Sequence, residues 1–92
     1  MSDYHEPSKE LSQEVRSLTR ALNSLKEEIE AVDWYNQRAD LESDESLKGI
    51  LVHNMKEEIE HACMTLEWLR RNMDGWDDQL KEFLFKEGEI SH

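Results

Sequence analysis

LSQEVRSLTRALNSLKEEIEAVDWY, residues 11–35, places Leu11, Val15, Leu18, Leu22, Leu25, Ile29 and Val32 at steps that alternate between four and three. Side chains at that spacing return to one side of a coil with 3.6 residues per turn, so the stretch reads as a helix with a single apolar seam. Upstream, Pro7 suits the first turn of a helix, where its missing N–H would have had no partner. Downstream no Gly or Pro intervenes before Gly49, and the first break is the polar run from Asp40 to Asp44. Helix one is therefore expected over about 7–40, with Ser43 as the N-cap that starts the next helix ahead of Asp44 and Glu45.

The second helix carries Leu47, Leu51, Met55, Ala62, Leu66 and Leu69 on one side and is expected over about 44–72, where Asn72, Asp74 and Gly75 signal a stop. Trp76, Leu80, Phe83 and Leu84 keep helical spacing, which predicts a short third helix over about 75–85. Gly88 sits in a polar tail, 86–92, expected to be disordered. A short connection makes the two long helices antiparallel neighbours, each about 45 Å long at 1.5 Å per residue. The fold class is all-α, with one domain over 1–92: an antiparallel two-helix hairpin with a short C-terminal third helix. So short a chain buries little apolar surface alone, and oligomerisation is the expected remedy.

Eleven basic against twenty-two acidic residues give a net charge of −11, which repels phosphate backbones and draws cations. Nucleic acid is not an expected partner. Cys63 is the single cysteine, so no internal disulfide can form and a reducing, cytoplasmic setting is expected. A basic start followed by an apolar stretch is not seen, nor a run of about 18 apolar residues, so neither secretion nor a membrane partner is expected.

Projection at 100° per residue puts Glu58 and His61 in the middle of the second helix's apolar stripe, flanked by Leu51, Met55, Ala62, Thr65 and Leu69. A carboxylate in a core needs a compensating cation or hydrogen bonds, and Glu-x-x-His invites a metal. On the first helix Glu28 falls beside Leu25, Val32 and Tyr35, while Glu27 and Glu30 fall on the opposite side. Carboxylate-bridged di-iron bundles take a Glu from each of two helices and a Glu-x-x-His from each of two more. One chain supplies half of that list, so a two-fold pair would complete a ferritin-like four-helix bundle with Glu28, Glu58 and His61 of both chains around two irons. Carboxylate and imidazole suit iron, and the expected chemistry is oxidation of Fe(II) by dioxygen with the dimer as active unit.

Plainer readings stand beside this. Glu-x-x-His arises by chance in acidic helices, and an inward His is often satisfied by a core hydrogen bond. The alternative function is a structural helical oligomerisation module without catalysis, whose inward polar groups fix register. A manganese or organic-substrate oxidase ranks below both. Tyr35, two turns after Glu28, could bond a metal ligand or bound oxygen species, or be an ordinary core tyrosine. Glu27, Glu30 and Trp34 share the other face, as an outer cation site, an oligomer contact or a solvated acidic face. His53 and Cys63 are assigned no chemistry, and His5 and His92 fall in the tails.

Three stretches carry a resemblance: Lys26 to Tyr35 (KEEIEAVDWY), the pair His53-Asn54, and Glu57 to Ala62 (EEIEHA). With Leu66 to Asn72 (LEWLRRN) and the opening His5 to Pro7, they resemble the encapsulated ferritin family over nearly all of the chain. The resemblance implies an all-helical ferritin-like protomer in a ring-shaped decamer built of dimers, housed within an encapsulin nanocompartment whose shell protein stores the iron. It places the ferroxidase ligands on Glu28, Glu58 and His61, with Tyr35 close to the di-iron centre. It also gives Glu27, Glu30 and Trp34 the role of a metal-entry site, with calcium or another divalent cation as a candidate occupant. Family members carry a C-terminal peptide that docks to the shell; none is read here up to His92, so residence in a shell is expected from the resemblance alone.

Overall fold

A computed structural model describes residues 4–91, and its regular elements are all helices, in the order 3₁₀ turn, α1, α2, α3, with no strand among the described residues. The first helix, α1, spans Gln13–Leu41, and not 7–40 as its proline implied. Pro7 instead opens a single 3₁₀ turn, Ser8–Glu10, after which Leu11 and Ser12 are extended. The fixed φ of proline suits that turn as well as it suits a helix. Ser12 makes the start: its hydroxyl accepts from the Val15 N–H at 3.1 Å, satisfying one of the orphan donors of the first turn. The Arg16 guanidinium donates back to the Leu11 carbonyl at 3.0 Å and secures the approach.

Helix α2 spans Glu45–Asn72, and its N-cap is Asp44, not the expected Ser43. The Asp44 carboxylate accepts from the Leu47 N–H at 2.8 Å, and its charge also faces the positive end of the helix dipole, an advantage a hydroxyl lacks. With only residues 42–44 between them, α1 and α2 fold back on each other as the expected hairpin. The chain leaves α2 through Met73 and Asp74 and turns at Gly75, whose φ of 102° lies where a side chain is strained. Helix α3 is then Trp76–Phe83, shorter than expected because Leu84 turns extended and Phe85 takes a φ of 59°. Residues 86–91 carry no helix or strand, and His92, expected in the tail, lies outside the described residues.

Two helices shield only one strip of each other. Ala39 at 6% exposure and Leu69 at 0% are the buried side chains among the described residues; most of the remaining seam is half covered, and Val15, Ile29 and Leu47 are exposed. An ion pair, Arg70–Asp77, links α3 to α2, and pairs within each helix brace it. The Arg70 guanidinium forks onto Glu67 with two bonds of 2.7 Å and reaches Asp77 on α3 at 2.6 Å. Arg71 also donates to Glu67 at 2.6 Å, and Lys81 pairs with Asp77 at 2.9 Å. Hydrogen bonds from Arg70 and then Arg71 hold the Glu67 carboxyl down at about 2, and Lys81 followed by Arg70 lowers that of Asp77. No helix is long and apolar enough to cross a membrane among the described residues.

Candidate metal centre

Glu58 and His61 lie one turn apart on α2, where residues three apart sit one above the other. The His61 Nδ1 is 3.6 Å from a Glu58 carboxylate oxygen, so the two side chains converge from the same face. They are not enclosed as the projection implied. The Glu58 side chain is 26% exposed and that of His61 43%, because the hairpin offers no second layer to cover them. Each stands at the rim between the α1 contact and open surface.

Glu28 approaches the same face from the other helix. Its carboxylate accepts from the Thr65 hydroxyl at 2.9 Å on one oxygen, and its second oxygen lies 3.4 Å from that hydroxyl. Thr65 follows His61 by four residues and Glu58 by seven, about 6 and 10 Å of rise along α2. The hydrogen bond from α2 to α1 therefore holds the Glu28 carboxylate over the strip of α2 that bears the Glu58–His61 pair. Among the described residues, no three Asp, Glu, His or Cys side chains of one protomer converge closely enough to hold a metal ion. One protomer thus presents a carboxylate–imidazole pair and a separately tethered carboxylate on one half-open face.

Tyr35 is half-buried on α1, two turns beyond Glu28, and helical side chains lean toward the N-terminus, which tilts its ring in the direction of Glu28. The Arg38 guanidinium lies 5.3 Å from the centre of that ring, within cation–π range. Glu27, Glu30 and Trp34 are exposed on the far side of α1, Trp34 by 50%, and do not join the Glu28 face. His53 is exposed with its Nε2 3.4 Å from Glu57, and Cys63 is an exposed free thiol; neither lies with the pair. Thr65 is the site residue that sequence reading passed over. The signal was present, since a hydroxyl one turn beyond His61 on an apolar stripe itself needs a partner.

The family model described as EncFtn-like matches residues 3–87. A ferritin-like protein of Thermotoga maritima is 58% identical over 88 residues, which make up 96% of this chain and 77% of the relative. An encapsulated ferritin-like protein of Rhodospirillum rubrum is 53% identical over 87 residues, 95% of this chain and 62% of the relative, so the match leaves over a third of that protein outside it. Among solved structures, a crystal structure of a Nitrosomonas europaea protein is 52% identical and superposes with a TM-score of 0.95 over 99% of this chain and all of that one. Two long helices with a short third are thus a ferritin-like architecture, and this chain belongs to the EncFtn-like, or encapsulated ferritin, family.

Proposed function

We propose that the protein is a ferroxidase whose catalytic unit is a pair of protomers, with Glu28, Glu58 and His61 of both chains binding two Fe(II) ions at their interface. The observation that carries this reading is the half-open face itself. Carboxylate and imidazole donors are gathered there, by the Glu58–His61 approach and the Thr65–Glu28 hydrogen bond, yet one protomer lacks enough of them for an ion. The flank beside them is apolar. Ile50 and Trp68 fall within about 20° of His61 around α2 at 3.6 residues per turn, and both are exposed large side chains that a second layer would cover.

In this reading iron is the substrate. Each Fe(II) gives up one electron, so two ions in one centre deliver a pair of electrons to a single dioxygen. Glu28 and Glu58 bridge or chelate, His61 gives each iron a nitrogen donor, and Tyr35 stands close to the ligands as a hydrogen-bonding group. Glu27, Glu30 and Trp34 on the outer face serve as a cation entry site, with calcium or another divalent ion as an alternative occupant, and the net charge of −11 draws cations toward it. The Fe(III) product passes to storage inside an encapsulin shell, with the pairs arranged as a decameric ring in the cytoplasm. Membership of the encapsulated ferritin family supports an iron-handling role.

The test is oxidation of anaerobically prepared Fe(II) on admission of air, followed by absorbance, for the wild type, Glu58→Ala and His61→Ala. Turnover above the protein-free rate, lost in both variants, is the expected result. A wild-type rate equal to the protein-free control would sink the ferroxidase and leave a helical oligomerisation module as the better account.

A further inference from the structure

We infer that Thr65 is a positioning residue for the metal centre: its hydroxyl tethers the Glu28 carboxylate across the hairpin, so that Glu28 is already drawn to α2, the helix of Glu58 and His61, before any ion arrives. This rests on the assignment of Glu28 as a ligand. A threonine within a helix commonly turns its hydroxyl back to the carbonyl one turn earlier. Thr65 instead donates to a carboxylate 37 positions away in sequence, at 2.9 Å, and lies 3.4 Å from the other oxygen of the same group. A glutamate side chain is long and rotates freely, so an untethered Glu28 on a half-open face would sample many orientations. One bond from α2 removes most of them, and it comes from the helix that carries the other two ligands.

The geometry also says how Glu28 can bind. The hydroxyl has one proton, which it directs chiefly to one carboxylate oxygen and only weakly to the other, so both oxygens keep lone pairs with which to meet an ion. Outer partners of metal-bound side chains act in this way on ligand orientation, and their loss weakens metal binding about 10- to 100-fold. The partial exposure of this pair argues for the lower end.

The test uses Co(II) as the probe, titrated calorimetrically and followed by its visible absorption, with assembly state recorded by sedimentation in the same samples. The proteins are wild type, Thr65→Val, Thr65→Ala, Thr65→Ser, Glu28→Gln and the Thr65→Val/Glu28→Gln double variant. The expected result is Co(II) affinity about tenfold weaker in both hydroxyl-free variants, with an altered absorption band. Affinity and band should return in Thr65→Ser, and the double variant should bind no worse than Glu28→Gln alone. Two hydroxyl-free variants are included so that a misfolded one does not end the comparison. A purely structural threonine would lower the metal-free melting temperature and leave both Co(II) affinity and band unchanged; that result overturns the assignment. Loss of binding in Glu28→Gln with none in Thr65→Val or Thr65→Ala removes Thr65 but keeps the ligand role of Glu28. Full binding by Glu28→Gln overturns both.

Discussion

Leu69→Ala should strike the fold and the site together, because Leu69 is fully buried and sits one turn beyond Thr65 on the face of α2 that packs on α1. Truncating a fully buried leucine removes its transfer free energy and leaves a cavity, about 3 kcal/mol near the low end of measured cases. Alanine is the better helix former, by only a few tenths of a kcal/mol, so the loss is one of packing. For a chain of this length about 1 kcal/mol moves the melting temperature by roughly 4–8 °C, which gives a fall of about 12–24 °C. Circular dichroism at 222 nm, at one fixed protein concentration, reads it directly. Under the proposed function, anaerobic Fe(II) at about 100 times its Kd returns some 2.7 kcal/mol by binding only the folded, paired protein. A loss below about 1 kcal/mol would refute the reasoning, since contacts between protomers, and not the α1–α2 strip around Leu69, would then hold the hairpin.

Asp77, the carboxyl that docks α3, and Glu67, which braces its partner Arg70 from within α2, should respond to acid. Glu67 is held at about 2 against an ordinary 4.5, so its ion pairs are fully formed above pH 4.5 and are lost as the pH falls toward 2. Asp77, lowered in the same sense by Lys81 and Arg70, acts in the same direction. The fluorescence of Trp76, the first residue of α3, should change in that window, and the change should shrink in 1 M salt and in Asp77→Asn, which removes the pair that joins the two helices; an identical transition in Asp77→Asn would show that this pair does not seat the helix. For the proposed entry site, Glu27→Gln/Glu30→Gln should slow Fe(II) oxidation at low iron about two- to tenfold, most at low salt, while saturated turnover holds. Loss of the saturated rate instead would place these residues in the catalytic centre.

The alternation of steps from Leu11 to Val32 was enough for α1, because an apolar seam at 3.6-residue spacing has one simple solution. Gly75 likewise marked the turn after α2, since its φ of 102° is one that few other residues take easily. Helix starts were harder. Pro7 fits a 3₁₀ turn and a helix equally well, and Ser43 and Asp44 are adjacent good caps whose ranking depends on which side chain reaches an N–H three residues on. Of the site, the faces of Glu28, Glu58 and His61 could be projected, whereas their enclosure could not: a projection assumes a core, and two helices with two buried side chains do not provide one. Thr65 was hidden because a threonine among leucines looks like stripe, and its partner is named only when the register of two helices is known.

The charge at such a face argues for why assembly and iron would be inseparable in the proposed function. Each protomer brings two carboxylates, Glu28 and Glu58, to the shared interface and carries a net charge of −11. Closing two such faces without a cation sets four carboxylates against one another in a shielded space, where like charges repel more strongly than in water. Two Fe(II) ions carry the matching charge, so the pair is electrically balanced only when loaded, and linkage requires that whatever metal contributes to association, association returns to metal affinity. Oxidation then adds one positive charge per iron. The centre that was balanced for Fe(II) is no longer balanced for Fe(III), which must shed protons from bound water or leave. Carboxylates attract Fe(III) more strongly than Fe(II), so in the proposed function it is this loss of protons, and not the added charge, that frees the product for storage.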